Sequence, residues 1–178
     1  SVPLLREEGK LFDPTPQLLE ALGDRPARVI YLSTTGVYGK TREVDETTAA
    51  APVTERQRLR VKAEEAIAGG PWPALILRPA AIYGPGRGVH VALREGRFRL
   101  VGDGGNWVSR IHVDDLSRHV VAAFESQLTG AFPVADEDPC SSREMAEFCS
   151  KLLDLPMPAS TTESDVDETR RSDRRGDG

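Results

Sequence analysis

The sequence predicts an α/β fold built on parallel strands, and three observations carry that expectation. The stretches Arg28–Leu32 and Ala74–Leu77 are short apolar runs bounded by polar and turn residues. Runs of that length and β-branched character read as strands buried on both faces. Between them lies a stretch from Thr54 to about Ala68 with helical spacing, opened by Thr54 and Gln57 as a capping box and stopped by Gly69-Gly70-Pro71. A right-handed crossover through that helix places the two strands parallel and adjacent, or nearly so.

The other elements follow in order. Ser1–Leu5 reads as the tail of a strand, and Arg6 to Pro16 as a charged, proline-broken connection. Thr15 or Asp13 caps a helix over Gln17–Leu22 with Gly23 as its stop. Ser33, Thr34 and Thr35 leave the first buried strand at its C-terminal end, where ligands bind in open parallel sheets. Such hydroxyls more often only satisfy the backbone of a turn.

Leu59, Ala63, Ala66 and Ile67 give the Thr54 helix a thin apolar face. Further on, Val89–Leu93 is a short helix and Phe98–Val101 a strand. The turn Gly102-Asp103-Gly104-Gly105 then joins that strand to a hairpin partner at Trp107–Ile111. Asp114 or Asp115 opens a helix whose inward face is Leu116, Val120, Ala123 and Phe124. Ala131–Ala135 is a last strand. Ser141 with Glu144 caps a final helix whose Met145, Phe148 and Leu152 face inward.

Composition bounds the function. At 178 residues one domain suffices, expected over residues 1–158 and followed by a disordered, charge-dense tail over 159–178. A net charge of -5 argues against a nucleic-acid partner. No apolar run reaches membrane-spanning length and no signal peptide opens the chain, so a cytoplasmic location is expected. Cys140 and Cys149 are not a CxxC pair, and His90, His112 and His119 lack ligand spacing, so no metal site is expected. Arg175-Gly176-Asp177 in the tail is a chance tripeptide rather than an integrin ligand.

The blocks Leu32–Gly39 (LSTTGVYG), Leu75–Arg87 (LILRPAAIYGPGR) and Arg110–Leu116 (RIHVDDL) resemble, in order and spacing, the extended short-chain dehydrogenase/reductases, the NAD-dependent epimerase/dehydratase family. The resemblance covers about Val2 to Pro158. It implies the C-terminal part of a Rossmann-like, doubly wound parallel sheet with a small α+β substrate-binding portion. It also implies NAD or NADP as cofactor in a complete protein, a small-molecule substrate, and room for a homodimer. The family's opening strand, GxxGxxG turn and helix, which hold the pyrophosphate, have no counterpart in the sequence. The chain is therefore expected to be a fragment or a truncated protein that binds a dinucleotide weakly or not at all.

By the same resemblance, Leu32, Ser33, Pro79, Ala81 and Ile82 touch the cofactor, and Tyr83, Arg87 and Arg110 line the substrate crevice. Thr34 matches the family's substrate-binding Ser/Thr. The family's general acid/base is the Tyr of YxxxK, ionised with help from the Lys. That Tyr is missing. The helix TERQRLRVKAEEAI offers Arg58 with Lys62 in one register and Arg56 with Arg60 in the other. Arginine does not exchange a proton near neutrality, which leaves Lys62 as the expected rescue if burial depresses its pKa. Tyr38 and Tyr83 fall in turn motifs, where packing or substrate lining is the expected role. Val108 stands where sugar-nucleotide members often have an Arg, and Thr35-Gly36 replaces the acidic residues of dehydratases. Two functions fit: an NAD(P)-dependent oxidoreductase or epimerase acting on a small or nucleotide-linked hydroxyl or carbonyl compound, and a non-catalytic nucleotide- or partner-binding module. A truncated product without function is a third.

Overall fold

A computed structural model describes residues 2–162. Their elements are β1 (Leu5–Glu7), β2 (Lys10–Phe12), α1 (Thr15–Leu22), β3 (Val29–Leu32), a 3₁₀ turn (Thr35–Tyr38), α2 (Glu55–Ala68), β4 (Ala74–Pro79), β5 (Ala81–Tyr83) and α3 (Val89–Arg94). There follow β6 (Leu100–Val101), β7 (Trp107–Val108), β8 (Arg110–His112), α4 (Val113–Glu125), β9 (Gly130–Val134), β10 (Cys140–Ser141), α5 (Ser142–Leu153) and β11 (Ser160–Thr161). Contacts divide the chain into two units. Among the described residues, one comprises 2–80 with Val113–Ala135, and the other comprises Ala81–His112 with 136–162.

The first unit carries a three-stranded parallel sheet in the order β3-β4-β9. Val29 faces Ala74 and Leu32 faces Leu77, while Leu75 faces Gly130 and Pro79 faces Val134. Strand alternation gives the sheet two apolar faces. Tyr31, Ala74 and Ile76, with Val29 and Ala131, pack on Ala63 and Ile67 of α2, Trp72, and Leu19 of α1. Leu75, Leu77, Phe132 and Val134 face Ala122 and Ala123 of α4 across a groove of about 350 Å³. Helices thus cover both faces, which is the three-layer arrangement that the strand–helix–strand order predicts.

The capping boxes at Thr54/Gln57 and Ser141/Glu144 are both present, with reciprocal bonds between cap and third helical residue. Asp13 rather than Thr15 serves the start of α1, its Oδ1 accepting from Thr15 N at 2.9 Å and from Thr15 Oγ1 at 2.5 Å. Near the N-terminus, Leu5 begins a two-stranded hairpin instead of ending a strand. Its Glu8-Gly9 loop has φ of 49° and 80°, the left-handed pair that a two-residue hairpin needs.

In the second unit the structure corrects the hairpin expected at Phe98–Ile111. Strand β6 pairs in parallel with β11, β7 pairs antiparallel with β10, and β8 pairs in parallel with β5. The glycine turn is pinned to the start of α5: Arg143 Nε donates to Asp103 O at 2.6 Å and Arg143 N to Gly104 O at 2.9 Å. At Gly104, with φ of 77°, a Cβ would lie 2.8 Å from Leu100 Cδ2, so the turn has no room for a side chain there.

Two helix faces also differ from expectation. Phe148 and Leu152 of α5 are 65% and 69% exposed, because the buried stripe is the smaller set Ala146, Cys149 and Ser150. Small side chains let α5 approach α3 closely, and that shifts the seam around the helix. On α4 the seam is Leu116 and Ala123, and Phe124, one position further round, is 65% exposed. Ser160 and Thr161, expected in the tail, are strand β11. Residues 163–178 of the expected tail, with Arg175-Gly176-Asp177, lie outside the described residues, as does Ser1. Among the described residues no helix is long and apolar enough to cross a membrane, and no group of three His, Cys, Asp or Glu could hold a metal.

Candidate functional site

In the first unit the hydroxyl-bearing segment after β3 is fixed to the end of β4. Ser33 N donates to Leu77 O at 2.7 Å, continuing the ladder one step beyond the strand. Thr34, extended at φ -162° and ψ 146°, N-caps the 3₁₀ turn, and its Oγ1 accepts from Gly36 N at 3.1 Å. Thr35 Oγ1 donates to Pro79 O at 3.4 Å. At the far end of the turn, Ala51 N donates to Val37 O at 2.9 Å. Gly39 passes so close that a Cβ there would lie 2.2 Å from Ala51 O. Four expected site residues, Leu32, Ser33, Thr34 and Pro79, therefore meet at one end of the sheet. Ser33 Oγ is buried there with no hydrogen-bond partner. Thr34 Oγ1 accepts one bond and keeps its own proton to donate.

Beneath this segment lie two buried arginines, each between a carboxylate and a phenol. Arg78, at the end of β4, donates from Nε to both oxygens of Glu64 at 3.2 Å, from Nη2 to Glu64 Oε2 at 2.6 Å, and from Nη1 to Tyr38 Oη at 3.0 Å. Its guanidinium carbon also sits 4.9 Å from the Tyr38 ring centroid. Burial opposes the charge on Arg78, but the bonds to Glu64 and Tyr38 outweigh it and raise the guanidinium above its ordinary pKa. Arg60, on α2, donates from Nη1 to Asp13 Oδ2 at 3.0 Å and to Tyr31 Oη at 3.0 Å. All six of these side chains belong to residues that are at most 9% exposed.

The inward positions of α2 are thus Arg60, Ala63, Glu64 and Ile67, at i, i+3, i+4 and i+7. Arg56, Arg58 and Lys62 are exposed. Lys62 lacks the burial that its expected role requires. Tyr38 is 2% exposed and packs rather than lining a crevice.

In the second unit, β5 and β8 bring Ala81 opposite Arg110 and Tyr83 opposite His112. The Tyr83 and His112 rings meet edge to face, centroids 5.1 Å apart. Gly84 and Arg87 close a turn by exchanging backbone hydrogen bonds of 2.9 and 3.0 Å, which leaves the Arg87 side chain exposed. Ile82 and Tyr83 are half-buried and Ala81 is exposed. Arg110 turns toward β10: its Nη1 donates to Val108 O at 2.9 Å, to Cys140 Sγ at 3.1 Å and to Cys140 O at 3.4 Å. Burial pushes the Cys149 thiol up in pKa, against the nearby Arg110 charge.

Sequence reasoning missed Asp13, Arg60, Glu64 and Arg78 as a group. The available signal was an Arg and a Glu at i, i+4 on the same face as Ala63 and Ile67, together with an Arg inside an otherwise apolar strand. A charge on an apolar face is the pattern that calls for a buried partner.

For a dinucleotide, the orphaned Ser33 Oγ and the Thr34 donor fit the hydroxyl- and amide-bearing nicotinamide riboside. Among the described residues no strand leads through a GxxGxxG turn into a helix, so they present no pyrophosphate cradle.

The sequence pattern of the NAD dependent epimerase/dehydratase family matches residues 13–134. A curated relative from a Streptomyces species, 3-diazoavenalumate denitrifying reductase, is 34% identical over 101 residues, covering 53% of this chain and 33% of the relative. Protein YeeZ of Escherichia coli K12 is 36% identical over 101 residues, covering 54% of this chain and 35% of YeeZ. A solved protein of unknown function from Silicibacter pomeroyi superposes with a TM-score of 0.74 at 36% identity, over 88% of this chain and 58% of that one. A UDP-glucuronic acid 4-epimerase from Bacillus cereus, solved with NAD, has a TM-score of 0.72 at 23% identity, over 83% of this chain and 54% of the epimerase, a likeness of fold. The chain spans about a third of the curated relatives and little more than half of the solved ones. With the family's pattern matching across 13–134, and the parallel sheet and strand-end hydroxyls in place, the chain belongs to the NAD dependent epimerase/dehydratase family.

Proposed function

We propose that this chain forms the nicotinamide end of an NAD(P)-dependent oxidoreductase whose proton transfer does not run through a tyrosine on α2. The observation that carries the reading is the buried, partnerless Ser33 Oγ beside the Thr34 donor, at the strand end where open parallel sheets bind ligands. A bound NAD(P)H would supply a hydride to an electrophilic substrate carbon. Ser33 would hydrogen-bond the riboside or carboxamide, Thr34 would donate to the substrate, and Pro79 would supply apolar contact. The substrate would be a small or nucleotide-linked hydroxyl or carbonyl compound.

Proton transfer to an alkoxide needs an acid within about 3 Å of the oxygen. On α2 the exposed Arg56, Arg58 and Lys62 and the ion-paired Arg60 offer no phenol. That favours substrates whose reduction asks least of an acid. The denitrifying reductase among the relatives is consistent with this, because loss of nitrogen from a diazo compound leaves no alkoxide to protonate.

Titration of the chain with NADH and with NADPH, followed by backbone NMR, tests the reading. The expected result is weak, saturable shifts centred on Leu32–Thr34. Shifts elsewhere, or none at millimolar cofactor, would overturn it. Binding at that segment in a protein that turns over neither carbonyl nor diazo substrates would favour the non-catalytic binding module.

A further inference from the structure

We propose that Tyr38, held by Arg78 and Glu64, is the positioning residue that aims the Thr34 hydroxyl. The functional consequence rests on the nicotinamide-end reading above, while the mechanical part stands on geometry. The connection runs from Glu64 through Arg78 and Tyr38 to the turn, and from the turn to Thr34. Glu64 fixes Arg78 by the three hydrogen bonds of a buried fork, and Arg78 Nη1 fixes Tyr38 Oη at 3.0 Å. Tyr38 is the last residue of a 3₁₀ turn whose own bonds are Val37 N to Thr34 O at 3.3 Å and Gly39 N to Gly36 O at 3.2 Å. Gly36 N, carried by that turn, donates to Thr34 Oγ1 at 3.1 Å and so selects the Thr34 rotamer. With one lone pair committed to Gly36, the hydroxyl has a defined direction in which to donate its proton.

Tyr38 needs this hold because a 3₁₀ turn of four residues has long, weak bonds and little stability of its own. Its aromatic ring alone would fill the space. The phenol oxygen, reaching a buried cation, converts filling into a fixed orientation. Lysine at residue 78 could pair with Glu64 but has no planar fork to reach Tyr38 at the same time.

The test uses the 178-residue chain with methyl-labelled threonine and two readouts. The first is the Thr34 χ1 rotamer from scalar couplings in the wild type, Tyr38→Phe, Arg78→Lys and Tyr31→Phe. The expected result is one rotamer in the wild type and in Tyr31→Phe, and rotamer averaging in Tyr38→Phe and Arg78→Lys with the methyl spectrum otherwise that of the folded protein. A single unchanged Thr34 rotamer in Tyr38→Phe overturns the proposal. The second readout is nicotinamide mononucleotide affinity at Thr34, expected to weaken by about fivefold to tenfold in Tyr38→Phe and to be unchanged in Tyr31→Phe. Rotamer averaging with equal affinity in both variants overturns the functional consequence. If the wild type shows no shift with the mononucleotide, the nicotinamide reading fails while the rotamer result still decides the positioning role.

Discussion

The two buried arginines of the first unit have the same chemistry and different jobs. Arg60 links Asp13, ahead of α1, to Tyr31 in the body of β3, and so braces α1 and α2 against the sheet. Arg78 links Glu64 of α2 to Tyr38 in the turn that follows β3, and so reaches the segment carrying Ser33 and Thr34. Helix α2 supplies the cation to one set and the anion to the other, one turn apart. The carboxylates also differ in their alternatives. Asp13 keeps two hydrogen bonds from Thr15 if Arg60 is lost, whereas the hydrogen bonds Glu64 makes run to Arg78. Helix α2 thus takes part in two buried ion pairs, Arg60 with Asp13 and Glu64 with Arg78.

That contrast gives a ranking of effects. Arg78→Ala should be the most destabilising of the single changes considered, because it strands the Glu64 carboxylate, 4% exposed, in a low-dielectric site. Breaking such a pair from one side costs about 3–5 kcal/mol, and urea denaturation of variant against wild type measures it. Arg60→Ala should cost about 1–3 kcal/mol in the same experiment, since Asp13 stays hydrogen-bonded to Thr15. Equal costs for the two would remove the distinction between them.

The parallel sheet was legible in the sequence because Arg28–Leu32 and Ala74–Leu77 are bounded, apolar and separated by a capped helix. The place of Ser33 and Thr34, just past the C-terminal end of a buried strand, was legible in LSTTGVYG. The ion-pair partners were not. Asp13 and Arg60 are 47 residues apart and Glu64 and Arg78 are 14 apart, so no local pattern links either pair. The hairpin at Phe98–Ile111 failed for a related reason: the glycine turn is hydrogen-bonded to Arg143, far along the chain. Phe148 and Leu152 were misplaced because spacing finds a helical stripe without saying which of two adjacent stripes meets a partner.

The two capping boxes extend the comparison to a smaller effect. The Thr54/Gln57 box is neutral, whereas Ser141/Glu144 is ionisable, and the backbone and hydroxyl bonds from Ser141 hold the Glu144 carboxyl below its ordinary pKa. A lowered folded-state pKa means the stabilisation is present above the unfolded pKa and is lost as pH falls through the folded one. Protection factors in the first turn of α5, taken against the intrinsic exchange rate at each pH, should therefore fall in acid, and Glu144→Gln should abolish that pH dependence.

The most direct test of the account compares Tyr38→Phe with Tyr31→Phe by native-state hydrogen exchange. Each variant keeps its ring and loses one phenol oxygen bonded to a buried arginine. A hydrogen bond to a charged group contributes about 1.5–3 kcal/mol, and 1.4 kcal/mol is about tenfold in an opening equilibrium. The account predicts that Tyr38→Phe speeds exchange at Val37, Gly39 and Ala51, whose amides report the turn and its anchor, by about tenfold or more. Tyr31→Phe should leave those three amides at wild-type rates. Equal acceleration in both variants, or none in Tyr38→Phe, would contradict the division of labour between Arg78 and Arg60.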